Sequence, residues 1–161
     1  MSARRPYATP VGVVLALASA LTAPIAWAAD YRVTSEAPTV LYDAPSAKAK
    51  PLFVYGRDVP VEVLVPVEGW TKVRDVGGAI GWIANKGLTS KRILLVRVPV
   101  ADVRANPHEA APVVFRAEQN VLLELAEGAS SPATTATPGW VKVRHRDGQV
   151  GFARVPQVYG L

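Results

Sequence analysis

Apolar and polar residues alternate with a period of two in two separate stretches of the chain. Val59, Val61, Val63 and Val65 set the first, and Val121, Leu123 and Leu125 the second. Such alternation puts one set of side chains on one face of a β-strand. A second pattern alternates Thr71 and Val73 with Trp70, Lys72 and Arg74, and Val141 and Val143 with Trp140, Lys142 and Arg144. It predicts strands whose valines face a core while tryptophan and the cations share the opposite face. Val76-Gly77-Gly78 and Arg146-Asp147-Gly148 then read as hairpin turns, since glycine accepts the positive φ that tight turns need. Prolines at 38, 45, 51, 60 and 66, with several more downstream, argue against long helices. Glu109 to Ala111 and Val114 to Gln119, the only helix-like stretches, read as a loop and an irregular strand.

The chain also repeats itself. Gly69-Trp70-Thr71-Lys72-Val73-Arg74 matches Gly139-Trp140-Val141-Lys142-Val143-Arg144 at an offset of 70. Gly78-Ala79-Ile80-Gly81-Trp82 matches Gly148-Gln149-Val150-Gly151-Phe152 at the same offset. Upstream the offset is 62: Asp43-Ala44-Pro45 faces Ala105-Asn106-Pro107, and the valine strand faces the leucine strand. The eight-residue difference falls in a Ser/Thr/Ala/Pro stretch at 129–138, where a surface loop tolerates insertion. Two units follow, 29–91 and 92–161. Several short strands within about 60 residues suggest a small barrel in each. So small a domain buries little, and the connector around Thr89 to Arg92 is short, so the units are expected to pack against each other.

The N-terminal segment has a different character. Arg4 and Arg5 precede the aliphatic stretch Val11 to Leu21, followed by Pro24 and the triplet Ala26-Trp27-Ala28. That order predicts a secretory signal peptide over 1–28, cleaved after Ala28, and so a periplasmic or secreted protein. The apolar stretch is shorter than the roughly 20 residues that span a bilayer. The whole chain has 18 basic and 13 acidic residues, and without its first 28 residues 16 and 13 remain, a net +3. The two halves are balanced, so no charge run marks a nucleic-acid or membrane surface. With no cysteine there is neither a disulfide framework nor thiol chemistry.

Catalytic patterns do not emerge. His108 and His145 lack a clustered carboxylate pair, the carboxylates are scattered singly, and Gly77-Gly78 belongs to a turn rather than a phosphate loop. The expectation is a non-enzyme with no metal and no cofactor.

The order Gly-Trp-x-Lys-Val-Arg, glycine turn, Ile/Val-Gly-Trp/Phe resembles the bacterial Src-homology-3-like (SH3) domains. Val40-x-Tyr42-Asp43-Ala44-Pro45 and Val103-Arg104-Ala105-Asn106-Pro107 resemble the opening V-x-R-x-x-P segment of that family. The first departs at Tyr42, where the family more often has arginine; the second departs at Phe152 and at Ala153-Arg154. The resemblance covers residues 36–91 and 97–161. It implies two bent five-stranded barrels and a role in recognition, commonly of peptidoglycan or its peptide stems.

Candidate ligand contacts follow from strand parity. Trp70 and Trp140 lie opposite the core face, where each either lines a groove or caps the barrel against its neighbour. Trp82 and Phe152 either join that face or pack beneath the preceding loop. Lys72, Arg74, Lys142 and Arg144 either pair with ligand carboxylates or form a solvated face. Tyr42 and Tyr159 offer aromatic wall, a core role being the alternative. The expected function is recognition of a protein or peptide partner in the cell envelope. Peptidoglycan binding and a structural role in self-assembly are the alternatives.

Overall fold

The computed structural model describes residues 29–35, 38–126 and 137–161. The predicted leader at 1–28 and most of the predicted insertion at 129–138 lie outside the described residues.

Alternation and turn chemistry translate into strands throughout. The first half contains β1 (Asp30–Thr34), β2 (Thr39–Tyr42), β3 (Pro51–Tyr55), β4 (Pro60–Val67), β5 (Trp70–Arg74), β6 (Ile80–Ala84) and β7 (Leu88–Thr89). The second contains β8 (Ile93–Val96), β9 (Val100–Arg104), β10 (Val113–Glu118), β11 (Leu122–Leu125), β12 (Trp140–Arg144), β13 (Val150–Arg154) and β14 (Val158–Tyr159). Single 3-10 turns, Asn85–Gly87 and Val155–Gln157, precede β7 and β14.

The strands form two antiparallel sheets, ordered β3-β2-β6-β5-β4-β1-β7 and β10-β9-β13-β12-β11-β8-β14. Adding seven to each label of the first order gives the second. The all-β expectation holds, with two corrections. Hydrogen bonding does not close either sheet into a barrel, because β3 and β7, and β10 and β14, remain edges. Each sheet also has seven strands rather than five, since short strands flank the predicted set. The first sheet nevertheless wraps one core: Tyr55 from one edge and Leu88 from the other both pack on Leu41, Val61, Val73 and Ile83. The Tyr55 hydroxyl reaches the Asp75 carboxylate at 3.0 Å, tying edge strand β3 to the β5–β6 turn.

The valine alternation of β4 is interrupted. Its register against β5 shifts between Val63 and Val65, the mark of a β-bulge. An extra residue reverses side-chain parity, so Val61 is fully buried whereas Val65 is 45% exposed. The expectation that the four alternating valines share one face is therefore corrected at Val65.

The predicted turns form as hairpin connections. Asp75 N–H donates to Ala79 O at 3.0 Å and His145 N–H to Gln149 O at 2.8 Å, with Gly78 at φ +90° and Gly148 at φ +93°. Gly81 and Gly151 serve a different need. A Cβ on Gly81 would lie 2.7 Å from the Tyr42 carbonyl oxygen, and one on Gly151 2.7 Å from that of Arg104. The bent strands β6 and β13 thus press on β2 and β9 where no side chain fits.

The second core is larger, centred on Leu94, Val103, Leu123, Val141 and Val143. All four residues of β8 are buried. Leu94 and Val96 enter that core. Ile93 and Leu95 lie on the other strand face, and β8 meets β4 of the first sheet. A Cβ on Gly160 would meet Ile93 O at 2.8 Å and Pro60 Cβ at 3.1 Å, so the C-terminal end is wedged between the sheets.

Candidate binding site

Strand register assembles one face of the first sheet. Tyr42 pairs with Trp82, Trp82 with Lys72, and Lys72 with Val65, so one row crosses β2, β6, β5 and β4. Paired residues project to the same side of a sheet, which brings residues distant in sequence together. Trp70, two positions before Lys72, packs edge-to-face on Tyr42 with ring centroids 5.6 Å apart and planes at 86°. That arrangement sets the positive ring edge of one residue against the π-face of the other. The Lys72 ammonium lies 5.8 Å from the Trp82 ring centroid, within the range of a cation–π contact. Tyr42, Trp70, Trp82 and Lys72 are each half-buried, leaving part of every side chain to solvent. Arg74, exposed on the same strand face, pairs with Glu62 at 3.4 Å.

A shallow cleft of about 410 Å³ adjoins this row, lined by Pro38, Val40, Tyr42, Ala84 and Lys86 among others. Its walls are mostly apolar, so it offers contact area more than charge.

The second sheet places the matching residues differently. Phe152 sits in register between Arg104 and Lys142, so arginine stands where the first sheet has Tyr42. Trp140 is only 5% exposed. The Arg154 guanidinium lies 4.7 Å above its ring centroid. Arg154 also bonds Glu109, and Arg104 pairs with Asp102 at 3.2 Å. Trp140 is thus covered by an ion-pair layer rather than presented to solvent. Lys142 and Arg144 are exposed on the strand face, with Arg144 opposite Glu124.

Tyr159 lies away from both faces, edge-on to Tyr31 at the junction of the sheets. His145 pairs with Asp147 at 2.8 Å in the β12–β13 turn. The hydrogen bond from His145 holds the Asp147 carboxyl below the usual carboxylate range, helped by the backbone N–H of Gln149. His108 lies in the β9–β10 loop. Among the described residues, no group of three His, Asp or Glu side chains could hold a metal ion. No helix among them is long and apolar enough to cross a membrane.

Sequence parity brought forward Trp70, Trp82, Lys72 and Tyr42, which the structure places side by side. It passed over Arg104, Arg154, Glu109, Asp102 and Gln157, which surround Trp140. A signal existed: Tyr42 and Ala84 of the first repeat become Arg104 and Arg154 in the second.

Residues 35–90 match the family described as bacterial SH3 domain. No match was found among curated proteins. Among solved structures, the chain is similar to NlpC2 from Trichomonas vaginalis, with 15% identity and a TM-score of 0.37, over 82% of this chain and 48% of that one. NlpC1 from the same organism gives 15% and 0.37, over 84% and 47%. An NlpC/P60 family protein from Bacillus cereus gives 17% and 0.36, over 81% and 56%. The chain spans about half the length of these proteins.

Proposed function

We propose that this protein is an exported, non-catalytic binding module of the cell envelope that recognises a protein or peptide partner. The observation that carries the reading is the Tyr42–Trp82–Lys72 row with Trp70 against it, inside the segment that matches a bacterial SH3 domain. Half-buried aromatic rings give contact area at low entropic cost, and Lys72 adds a charge for an acidic group. No nucleophile–base pair lies among these side chains. The leader-like segment 1–28 supports export to the periplasm or beyond. The common strand order supports the second sheet as a second copy of the domain, with a different ligand surface.

A pull-down from periplasmic extract tests the reading, with Trp70→Ala and Tyr42→Ala variants as controls. Partners captured by the wild type and lost by both variants are the expected result. An unchanged set of partners overturns the assignment of the face. Cosedimentation with purified sacculi distinguishes the second reading, in which Lys72 meets carboxylates of the peptidoglycan stems.

A further inference from the structure

We propose that the cleft over Trp140 binds a small peptide-like ligand with a free carboxylate, and that Glu109 occupies the carboxylate position in the free protein. The site is distinct from the first-sheet face and does not rest on it.

Two guanidinium groups define the position. The Arg154 guanidinium lies over the Trp140 ring, 4.7 Å from its centroid, and a guanidinium over an indole still has N–H donors for a planar anion. Arg104 is fixed from three sides, donating to Ala111 O at 2.9 Å, pairing with Asp102 at 3.2 Å and lying 3.9 Å from Glu109. Both arginines therefore converge on the Glu109 carboxylate. Glu109 belongs to the loop between β9 and β10, and its side chain is 60% exposed, so it can swing away without opening a core. Asp102 cannot replace it, since it already pairs with Arg116 at 3.0 Å as well as with Arg104. When Glu109 leaves, Arg154 loses its carboxylate and Arg104 keeps only Asp102, which Arg116 also shares, so the surplus positive charge calls for an anion.

A second group marks a ligand larger than an ion. The Gln157 side-chain oxygen is buried with no hydrogen-bond partner, and Gln157 lines the same cleft as Trp140, Arg104, Arg154 and Glu109. Buried acceptors are normally satisfied, and an amide N–H of a ligand would supply the donor. The cleft holds about 290 Å³, near the lower end of ligand pockets, so it suits a peptide terminus rather than a folded domain. The first sheet lacks this chemistry, having Val40, Tyr42, Ala47, Ala84 and Gly87 where the second has Asp102, Arg104, Glu109, Arg154 and Gln157.

Calorimetric titration of the protein with N-acetylglycylglycine and with its C-terminal amide tests the proposal. Removing the internal competitor raises the fraction of open site, so Glu109→Gln is expected to bind the free acid roughly tenfold tighter than wild type. The amide is expected to show no saturable binding. Adding Arg154→Lys to Glu109→Gln keeps the charge and removes the planar fork, and should cancel the gain. Equal binding of acid and amide overturns the proposal. So does an unchanged affinity in Glu109→Gln, or the absence of saturable binding in every variant.

Discussion

The hydroxyl of Tyr159 donates a hydrogen bond to the backbone carbonyl of Arg74 at 2.8 Å, joining the last strand of the second sheet to the aromatic-bearing strand of the first. The Tyr159 ring also stands edge-on to Tyr31 at 5.1 Å. One side chain thus bonds across the junction and packs there. With β8 buried on both faces, the two sheets share a boundary that neither would cover alone.

Tyr159→Phe keeps the ring and removes the hydroxyl. It should lower unfolding free energy by about 1 kcal/mol, the net worth of an ordinary hydrogen bond. Urea denaturation with an unchanged slope would identify the loss as stability rather than a change in the exposed surface.

Alkaline pH should destabilise the fold. Burial pushes the Tyr55 hydroxyl above its ordinary 10.0, and the Asp75 carboxylate that accepts its hydrogen bond adds to the rise. Burial likewise raises Tyr159 and Tyr31. Above pH 10 the unfolded tyrosines lose protons that the folded ones keep, so the unfolded state gains and stability falls as pH rises. Below that pH the contribution is fully present. Melting temperatures followed from neutral pH to well above 10 should show the decline, with a shallower slope in Tyr159→Phe.

Gly81→Ala and Gly151→Ala should each cost about 1–3 kcal/mol or more, because the new methyl meets a backbone carbonyl oxygen and a fully buried side chain, Leu41 or Val103, neither of which can move aside freely. Gly77→Ala serves as the control. Its Cβ would stand 3.4 Å from Asp75 Oδ1, an ordinary contact. Thermal melts of the three variants decide the point, and equal losses at all three would contradict it.

The two strand tryptophans should respond unequally. Trp140→Ala empties a buried site and should cost about 3–5 kcal/mol. Trp70→Ala removes a half-buried ring and should cost less, with the larger effect on partner capture. Guanidinium denaturation of both variants provides the comparison.

The local chemistry of this chain is written in its sequence. Period-two alternation, glycine turns and the repeated Gly-Trp-x-Lys-Val-Arg strand determine that it is all-β, that Thr71, Val73, Val141 and Val143 face inward, and that Trp70 and Lys72 share the opposite face. These are properties of neighbours in the chain, and backbone geometry alone enforces them.

The tertiary structure decided what depends on contacts between distant segments. The bulge between Val63 and Val65 turned Val65 outward, since parity is counted against a partner strand rather than along the chain. The open edges of both sheets arise from pairing among seven strands, which alternation in any one of them does not record. Trp70 and Trp140 occupy the same place in the repeat, yet Tyr42 packs against one and Arg154 covers the other. Parity states which side of a strand a tryptophan leaves from; whether it meets solvent depends on the residue that the neighbouring strand brings over it. The faces on which the proposed function rests were therefore readable as strands, and as surfaces only once packed.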